Sequence, residues 1–446
     1  MSLKDRWSSS LGFFLVASGA AVGLGSIWKF PYEVGRQGGG AFVCLYLLFV
    51  LLLGIPLMLA EVSLGLLGRQ DPVGTLEALA KRFHASRLWV WLGRMSLITL
   101  LCILSFYSVV GGWDIEYLTK SLFYPNALSS VSHIQHVWDA LMASPSKLVL
   151  FHTVFLILTG YVVMWPIQAG IERASKVMMP LLLFILILLD AYGLYLPGAH
   201  KAATYLFSFR WEEVNIRVVE SALGNAMFTL AVGAGCMLVY GAYVPKSTRV
   251  VPMVITIALF DALVALMSGF AIFSIVFSYD LVPTAGPGLM FVSLPIAFKS
   301  LYLGHVIGLS FFILLLFAAW TSSISLLEPL VAYGQSYCGW SRFKSVLAGG
   351  MLAWMLGLLS AFSFNLLADW SVMGRGNFFE WISHITTNVL LVLGGLGYAV
   401  FVGWCVPVGK LKNVLTVNDQ VFVVWYHLVR YILPILMLVL LIRGGL

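Results

Sequence analysis

Four hydroxyl side chains crowd one place in an otherwise apolar run, Thr321-Ser322-Ser323 followed by Ser325. Hydroxyl oxygens are hard donors, so such a cluster inside a membrane suits a sodium-like cation. The competing reading is hydroxyls bonded back onto their own helix. Asp261 also lies inside an apolar stretch, as does Glu328 beside Pro329. Carboxylates are costly enough in a bilayer to be functional candidates by default, set against buried structural acids held by hydrogen bonds. Catalysis has no comparable foundation. His133, His136, His152 and His384 are scattered, and no nucleophile or His–carboxylate constellation appears at consistent depth. Cys44, Cys102, Cys236, Cys338 and Cys405 lack C-x-x-C spacing and read as packing residues. The chain does not read as an enzyme.

These groups sit on membrane-crossing elements. Of 446 residues, 61% are hydrophobic and 10% charged, and apolar runs repeatedly exceed the roughly 20 residues that span a bilayer. The first apolar run leads into glycine-rich sequence without a cleavage pattern, so it reads as a retained span. The net charge of +7 does not signal nucleic-acid binding, because the basic residues fall in short loops where orientation signals belong. Eleven spans are predicted: 11–36, 39–67, 87–121, 147–165, 172–196, 217–244, 249–280, 303–336, 344–364, 377–407 and 420–443. Lys81, Arg82, Arg87, Arg173, Lys246, Arg249, Lys410 and Lys412 put the excess of basic charge on the side of the N-terminus, which is therefore cytoplasmic. Residues 70–87 mix polar residues with Leu76, Leu79 and Phe83, the pattern of a short interfacial helix.

Two spans are interrupted. Span 1 carries Gly19, Gly23 and Gly25 at mid-membrane with Pro31 beyond, and span 6 carries Gly224, Gly233 and Gly235. Unwound backbone is tolerated at that depth only where it is buried in protein or lines a cavity, so a broken helix points to a binding site. The bland reading is glycine used for close helix packing. Spans 1 and 6 correspond if spans 1–5 and 6–10 are two halves, and an odd span number per half makes the repeat inverted. The divisions are 1–196, 197–407 and a final 408–446 holding a cytoplasmic loop and helix 11.

Longer motifs carry a resemblance. Trp7…Leu11-Gly12-Phe13, Val22-Gly23-Leu24-Gly25-Ser26-Ile27-Trp28-Lys29-Phe30-Pro31-Tyr32, Gly38-Gly39-Gly40-Ala41-Phe42, Gly54-Ile55-Pro56-Leu57…Glu61, Gly170-Ile171-Glu172…Lys176…Met179-Pro180, Phe228-Thr229-Leu230…Gly233-x-Gly235 and Thr321-Ser322-Ser323 cover nearly the whole chain. The sequence resembles the neurotransmitter:sodium symporters, in their bacterial amino-acid-transporter branch. The resemblance implies an all-α polytopic membrane protein with the LeuT-type 5+5 inverted repeat, eleven transmembrane helices and helices 1 and 6 broken. It implies a bacterial cytoplasmic membrane and a monomer or weak dimer, with the lipid bilayer and a small hydrophobic L-amino acid as partners and no nucleic acid.

Carried over by motif, one sodium site takes carbonyls of Gly19, Val22 and Ala318 with hydroxyls of Thr321 and Ser322. A second, altered site takes the Ala21 carbonyl, Thr229, the substrate carboxylate and Asp261, with Ser26 where relatives usually have Asn. One or two sodium ions are thus expected. Chloride-dependent relatives bind the anion near Tyr46, Asn225, Thr229 and a Ser of span 7; that Ser position is Ala265, and with Asp261 supplying negative charge nearby, chloride is not expected. The substrate carboxylate meets Leu24 and Gly25 N–H groups and the Tyr107 hydroxyl, its amine the carbonyls of Ala21, Phe228 and Thr229. The side chain enters a pocket of Ile103, Phe228, Ala231, Ala234, Ser322 and Leu326. Small Ala231 and Ala234 imply room and breadth, because one methylene is worth only about 1–3 kcal/mol in an apolar pocket. Neutral branched and aromatic L-amino acids are the expected substrates.

The gates depart from the family pattern. Lys29 replaces the usual Arg and faces Glu380 and Ser383 where relatives have an Asp, which loses bidentate pairing. Inside, Lys4 or Arg6 stands near Trp7, Tyr243 supports the latch, and Ser336 occupies the usual Asp position. The rival to sodium-coupled uptake by alternating access is an amino-acid sensor that binds without translocating. A channel is disfavoured because no continuous polar pore or charge ring is present.

Overall fold

The computed structural model describes residues 6–124, 128, 130–245, 248–279, 288–372 and 376–444; Lys4 and Lys246 lie outside them. Among the described residues the chain is helical throughout, without strands. Among the described residues nine helices are long and apolar enough to cross a membrane: Gly40–Gly68, Arg87–Phe123, Pro145–Met164, Gln168–Leu194, Val250–Ser278, Gly304–Ser336, Arg342–Phe362, Phe378–Cys405 and Asp419–Arg443. In chain order we call them helices 2–5 and 7–11. Helix 1 is a tenth, made of helix 1a (Ser10–Ala21) and helix 1b (Gly25–Arg36), bent by 48°. Helix 6 consists of the shorter helices 6a (Ile216–Thr229) and 6b (Cys236–Ala242). Its gap keeps it out of the ten that qualify by length and composition. The interfacial element expected at 70–87 is helix Pro72–Arg82, capped by Asp71.

The breaks follow from local chemistry. Val22 leaves helical geometry after its N–H caps onto the Ser18 carbonyl, and Pro31 starts the next α-turn of helix 1b. A Cβ on Gly23 would lie 2.2 Å from Ser322 Oγ and 2.6 Å from the Tyr107 hydroxyl, so any larger residue would displace both site hydroxyls. In helix 6 the chain passes through positive φ at Ala231, Gly233 and Gly235. A Cβ on Gly233 would lie 2.2 Å from the Leu391 carbonyl, so backbone meets backbone between helices 6 and 10. The freed Gly233 N–H donates to Glu61 Oε1 of helix 2 at 2.5 Å, inside the protein rather than in lipid.

Helix 3 packs along helices 8, 4 and 9, while helix 1a lies against helices 5, 7 and 8 and helix 6b against helix 2. The two breaks therefore face helices 3 and 8 at the centre of one continuous core.

Candidate functional site

Where helix 1a ends, its last carbonyls have no successor in the helix and turn towards helix 8. Ser322 Oγ donates to the carbonyls of Gly19 (3.3 Å) or Ala20 (3.4 Å), and the Thr321 hydroxyl bonds back to Phe317 (2.9 Å) and Ala318 (3.2 Å). Thr321 is also close enough to lie 3.2 Å from a Cβ built on Gly19. Of the oxygens expected there, those of Gly19, Ala318, Thr321 and Ser322 are brought together, and Val22 is the buried residue at the break. The set contains no carboxylate, the donor chemistry of a weakly held monovalent cation. Both hydroxyls are bonded to backbone carbonyls, Thr321 back onto its own helix, the arrangement weighed against ligation in the sequence, and Ser322 across to helix 1a.

A second polar cluster is built around Asp261. Ser26 Oγ donates to its Oδ1 at 2.5 Å, the Tyr46 hydroxyl lies 3.4 Å from Oδ2, and Tyr46 and Thr229 hydroxyls are 3.3 Å apart. Ser268 Oγ holds the Ser26 carbonyl at 2.8 Å. All of these side chains are buried, and among the described residues no basic side chain pairs with Asp261. A desolvated carboxylate surrounded by hydroxyls is a strong seat for a hard cation, which would replace the missing counter-charge. Asn225, buried beside this cluster in sequence terms, has neither side-chain oxygen nor nitrogen hydrogen-bonded.

Between the two clusters lies a cavity of about 30 Å³ lined by Ala21, Gly25, Ile103, Tyr107, Phe228, Ala231, Ala234, Ser322 and Leu326, as expected. Thr229 is not part of this wall, because its hydroxyl turns to Tyr46. Leu24 borders the vestibule above, and its N–H donates to the Tyr107 hydroxyl at 2.8 Å. The two groups expected to bind a carboxylate are therefore already paired with each other. The wall also includes Leu100, Cys236, Ser325 and Leu391. Leu100 and Ser325 were accessible to reasoning, lying three residues from Ile103 and Ser322 on the same helix faces. Leu391 arrives only through the contact of helix 10 with Gly233.

Above Phe228 the protein opens into a vestibule of about 820 Å³ bordered by Lys29, Glu33, Arg36, Arg217, Glu220, Glu380, Ser383 and His384. The expected Lys29–Glu380 gate is not formed. Glu380 is committed to the start of its own helix, where its Oε2 accepts from Asn377 N at 3.3 Å in a capping box. Lys29 instead rests its Nζ 4.4 Å from the centre of the Phe228 ring, a cation–π contact.

The opposite end is sealed. Trp7 is buried, donates from Nε1 to the Tyr240 carbonyl at 3.1 Å and stands edge-on to Tyr240 and Tyr243. Of the two cations expected at the latch, Lys4 lies outside the described residues, and the cation on the acid beside Tyr243 is Arg342. Arg342 lies 2.5 Å from Glu328, whose other oxygen accepts from the Tyr243 hydroxyl at 3.0 Å, and Arg69 donates to the Ala242 and Val244 carbonyls. Arg6 offers its carbonyl to Gln168, and Ser336 donates to Asp71. One end open, one closed and two broken helices between them is the geometry of a carrier caught on one side.

The model of the sodium:neurotransmitter symporter family matches residues 4–140 and 141–444. The chain belongs to this family. It is a sodium-coupled, multi-pass membrane transporter and not an enzyme. The transporter is 33% identical over 440 residues to an uncharacterized sodium-dependent transporter, YhdH, of Bacillus subtilis, covering 97% of this chain and 96% of that one. An uncharacterized sodium-dependent transporter of Haemophilus influenzae is 30% identical, with 99% and 98% covered. The fold superimposes on the crystal structure of MhsT in complex with L-phenylalanine with a TM-score of 0.92 at 37% identity, covering 98% of this chain and 99% of MhsT. That match bears out the LeuT-type architecture read from the motifs.

Proposed function

We propose that this transporter imports neutral hydrophobic L-amino acids, branched aliphatic and aromatic, by alternating access driven by the sodium gradient. The observation that carries the reading is the cavity under Phe228, whose side-chain wall is mostly apolar, with Ser322 and Ser325 its hydroxyls, and holds no charged group, with the Tyr107 hydroxyl and the Leu24 N–H meeting at its edge. A carboxylate that enters takes both donors, and a charged side chain would find no partner. The likeness to MhsT, solved with L-phenylalanine, supports the same class.

Sodium binds at the helix 1–8 oxygens of Gly19, Val22, Ala318, Thr321 and Ser322, and a second ion at Ala21, Ser26, Thr229 and Asp261 together with the substrate carboxylate. Chloride is not required, since Asp261 provides the fixed negative charge. Helices 1, 2, 6 and 7 rock against helices 3, 4, 8 and 9. Phe228 and Lys29 close the outer side, with Glu380 and Ser383 on the facing wall, and Trp7 and Tyr243 close the inner side. The chain crosses a bacterial cytoplasmic membrane eleven times, N-terminus inside, as inverted halves 1–196 and 197–407 followed by 408–446, and works as a monomer or weak dimer.

Concentrative uptake of labelled leucine into proteoliposomes tests this, with sodium replaced by lithium, potassium or a proton gradient and chloride replaced by gluconate. Sodium-dependent accumulation that leucine, isoleucine and tryptophan inhibit, and gluconate leaves unchanged, is expected. Binding without accumulation would make the protein a sensor, and inhibition by lysine or glutamate alone would overturn the substrate class.

A further inference from the structure

A second cavity, of about 280 Å³, lies at the end of the bundle where the vestibule opens but shares no lining residue with it. Its floor is Phe298 and Phe312, seated across Gly308 of helix 8, and Ser121 borders it from the end of helix 3. A Cβ on Gly308 would lie 3.1 Å from the Phe298 ring, so the short helix Leu294–Ser300 docks here without filling the space. Two basic side chains, Lys299 and His305, stand exposed at the rim, and among the described residues no acid lines the cavity. The nearest cation on helix 3, Lys120, is occupied by Glu116 at 3.8 Å.

The surroundings say which medium the mouth meets. On one flank Leu122, Phe123 and Tyr124 are exposed, on the other Tyr302, Leu303 and Val306. Large apolar side chains exposed on both flanks face lipid, and tyrosines at the ends of such helices mark the headgroup level. The mouth therefore opens between two lipid-facing flanks, with positive charge at the headgroup level and aromatic surface just below it.

We propose that this cavity binds one anionic phospholipid, its phosphate between Lys299 and His305 and the first part of an acyl chain against Phe298 and Phe312. The cationic rim without acids selects a lipid of net negative charge, and the apolar floor distinguishes a lipid from a free anion.

Native mass spectrometry of the full-length transporter, with dioleoyl phosphatidylglycerol or dioleoyl phosphatidylcholine added at equal concentration, tests the proposal. One phosphatidylglycerol is expected to survive activation that strips phosphatidylcholine. The Lys299→Gln/His305→Gln variant should lower the bound fraction about five-fold or more, the scale of one lost lysine at a membrane surface. Both positions are exposed and outside the transport sites, so sodium-dependent uptake by the variant checks its fold. Unchanged phosphatidylglycerol retention in that variant overturns the proposal, as does equal retention of phosphatidylcholine. Displacement of the lipid by soluble glycerol 1-phosphate at equal concentration also overturns it, by making the site one for a free anion.

Discussion

Removing the Arg342 side chain should open the sealed end. Its Nη2 lies 2.5 Å from Glu328 Oε2 and its Nη1 3.2 Å from Oε1, and Glu328 is 0% exposed. Breaking a buried pair by deleting one partner costs about 3–5 kcal/mol, because the remaining charge is left without compensation. The Tyr243 hydroxyl remains on Glu328 and offsets part of this, so the lower bound, about 3 kcal/mol, is the better figure. The penalty applies only while this end is closed, since opening hydrates Glu328. At 1.4 kcal/mol per tenfold, Arg342→Ala shifts the closed-to-open ratio by roughly 150-fold. Cys236 is a built-in reporter: it is buried between the latch and the substrate cavity, with its thiol 3.4 Å from the Ser325 carbonyl. With Cys44, Cys102, Cys338 and Cys405 replaced by Ser, a charged methanethiosulfonate reagent applied from the Trp7 side should modify Cys236 at least about 30-fold faster in the variant. The double variant Arg342→Met/Glu328→Met, which leaves no orphaned charge, should return most of the way to the parent rate. A single-variant rate within about two-fold of the parent, or a double variant as fast as the single, would refute the pair as the element holding this end shut.

Three further outcomes follow from the same geometry. Asp261→Asn keeps an acceptor for Ser26 but removes the charge, so the half-saturating sodium concentration for uptake should rise at least about ten-fold, the scale of replacing charge-assisted by neutral contacts; an unchanged sodium curve would remove Asp261 from ion binding. Ala234→Phe puts a bulky ring into the wall of the substrate cavity and should abolish competition by tryptophan while sparing alanine, as read from inhibition of labelled uptake. Gly233→Ala combines φ +92° with a Cβ 2.2 Å from the Leu391 carbonyl, and should lower the unfolding transition by several kcal/mol or prevent folding; wild-type thermal stability would contradict the backbone contact.

The features legible in the sequence are those whose cause is local. Glycines at 23 and 25 and at 233 and 235 announce broken helices because the chain itself departs from the helix there, and both breaks appear where expected, while Gly19 and Gly224 stay inside helices 1a and 6a. The oxygens of Thr321 and Ser322 were legible for a local reason too, since hydroxyls crowded into an otherwise apolar run stand out as hard donors. Glu380 is instructive because its fate was also local: Asn377-x-x-Glu380 is a capping box in plain sight, and a side chain spent on the N-cap is withdrawn from a gate. The expected Lys29–Glu380 pair therefore fails through a competition within four residues.

What stayed hidden depends on which helices meet. Arg342 reaches Glu328 only because helices 8 and 9 return antiparallel across a short turn and bury the acid completely, so an arginine at the edge of the next helix pairs with the acid that also holds Tyr243. Leu391 enters the substrate cavity wall because helix 10 touches the unwound backbone at Gly233, and no periodicity within helix 10 encodes that. The same reasoning bears on transport. The sealed end is held by the Glu328–Arg342 pair of helices 8 and 9, by the Tyr243 hydroxyl and by Trp7, whereas on the vestibule side Lys29 holds only the Phe228 ring. Trp7 packed edge-on to two tyrosines, its hydrogen bond to Tyr240 and the Tyr243 hydroxyl on Glu328 together outweigh a single cation–π contact of about 0.5–2 kcal/mol, so in the absence of sodium and substrate the resting population should favour the vestibule-open form.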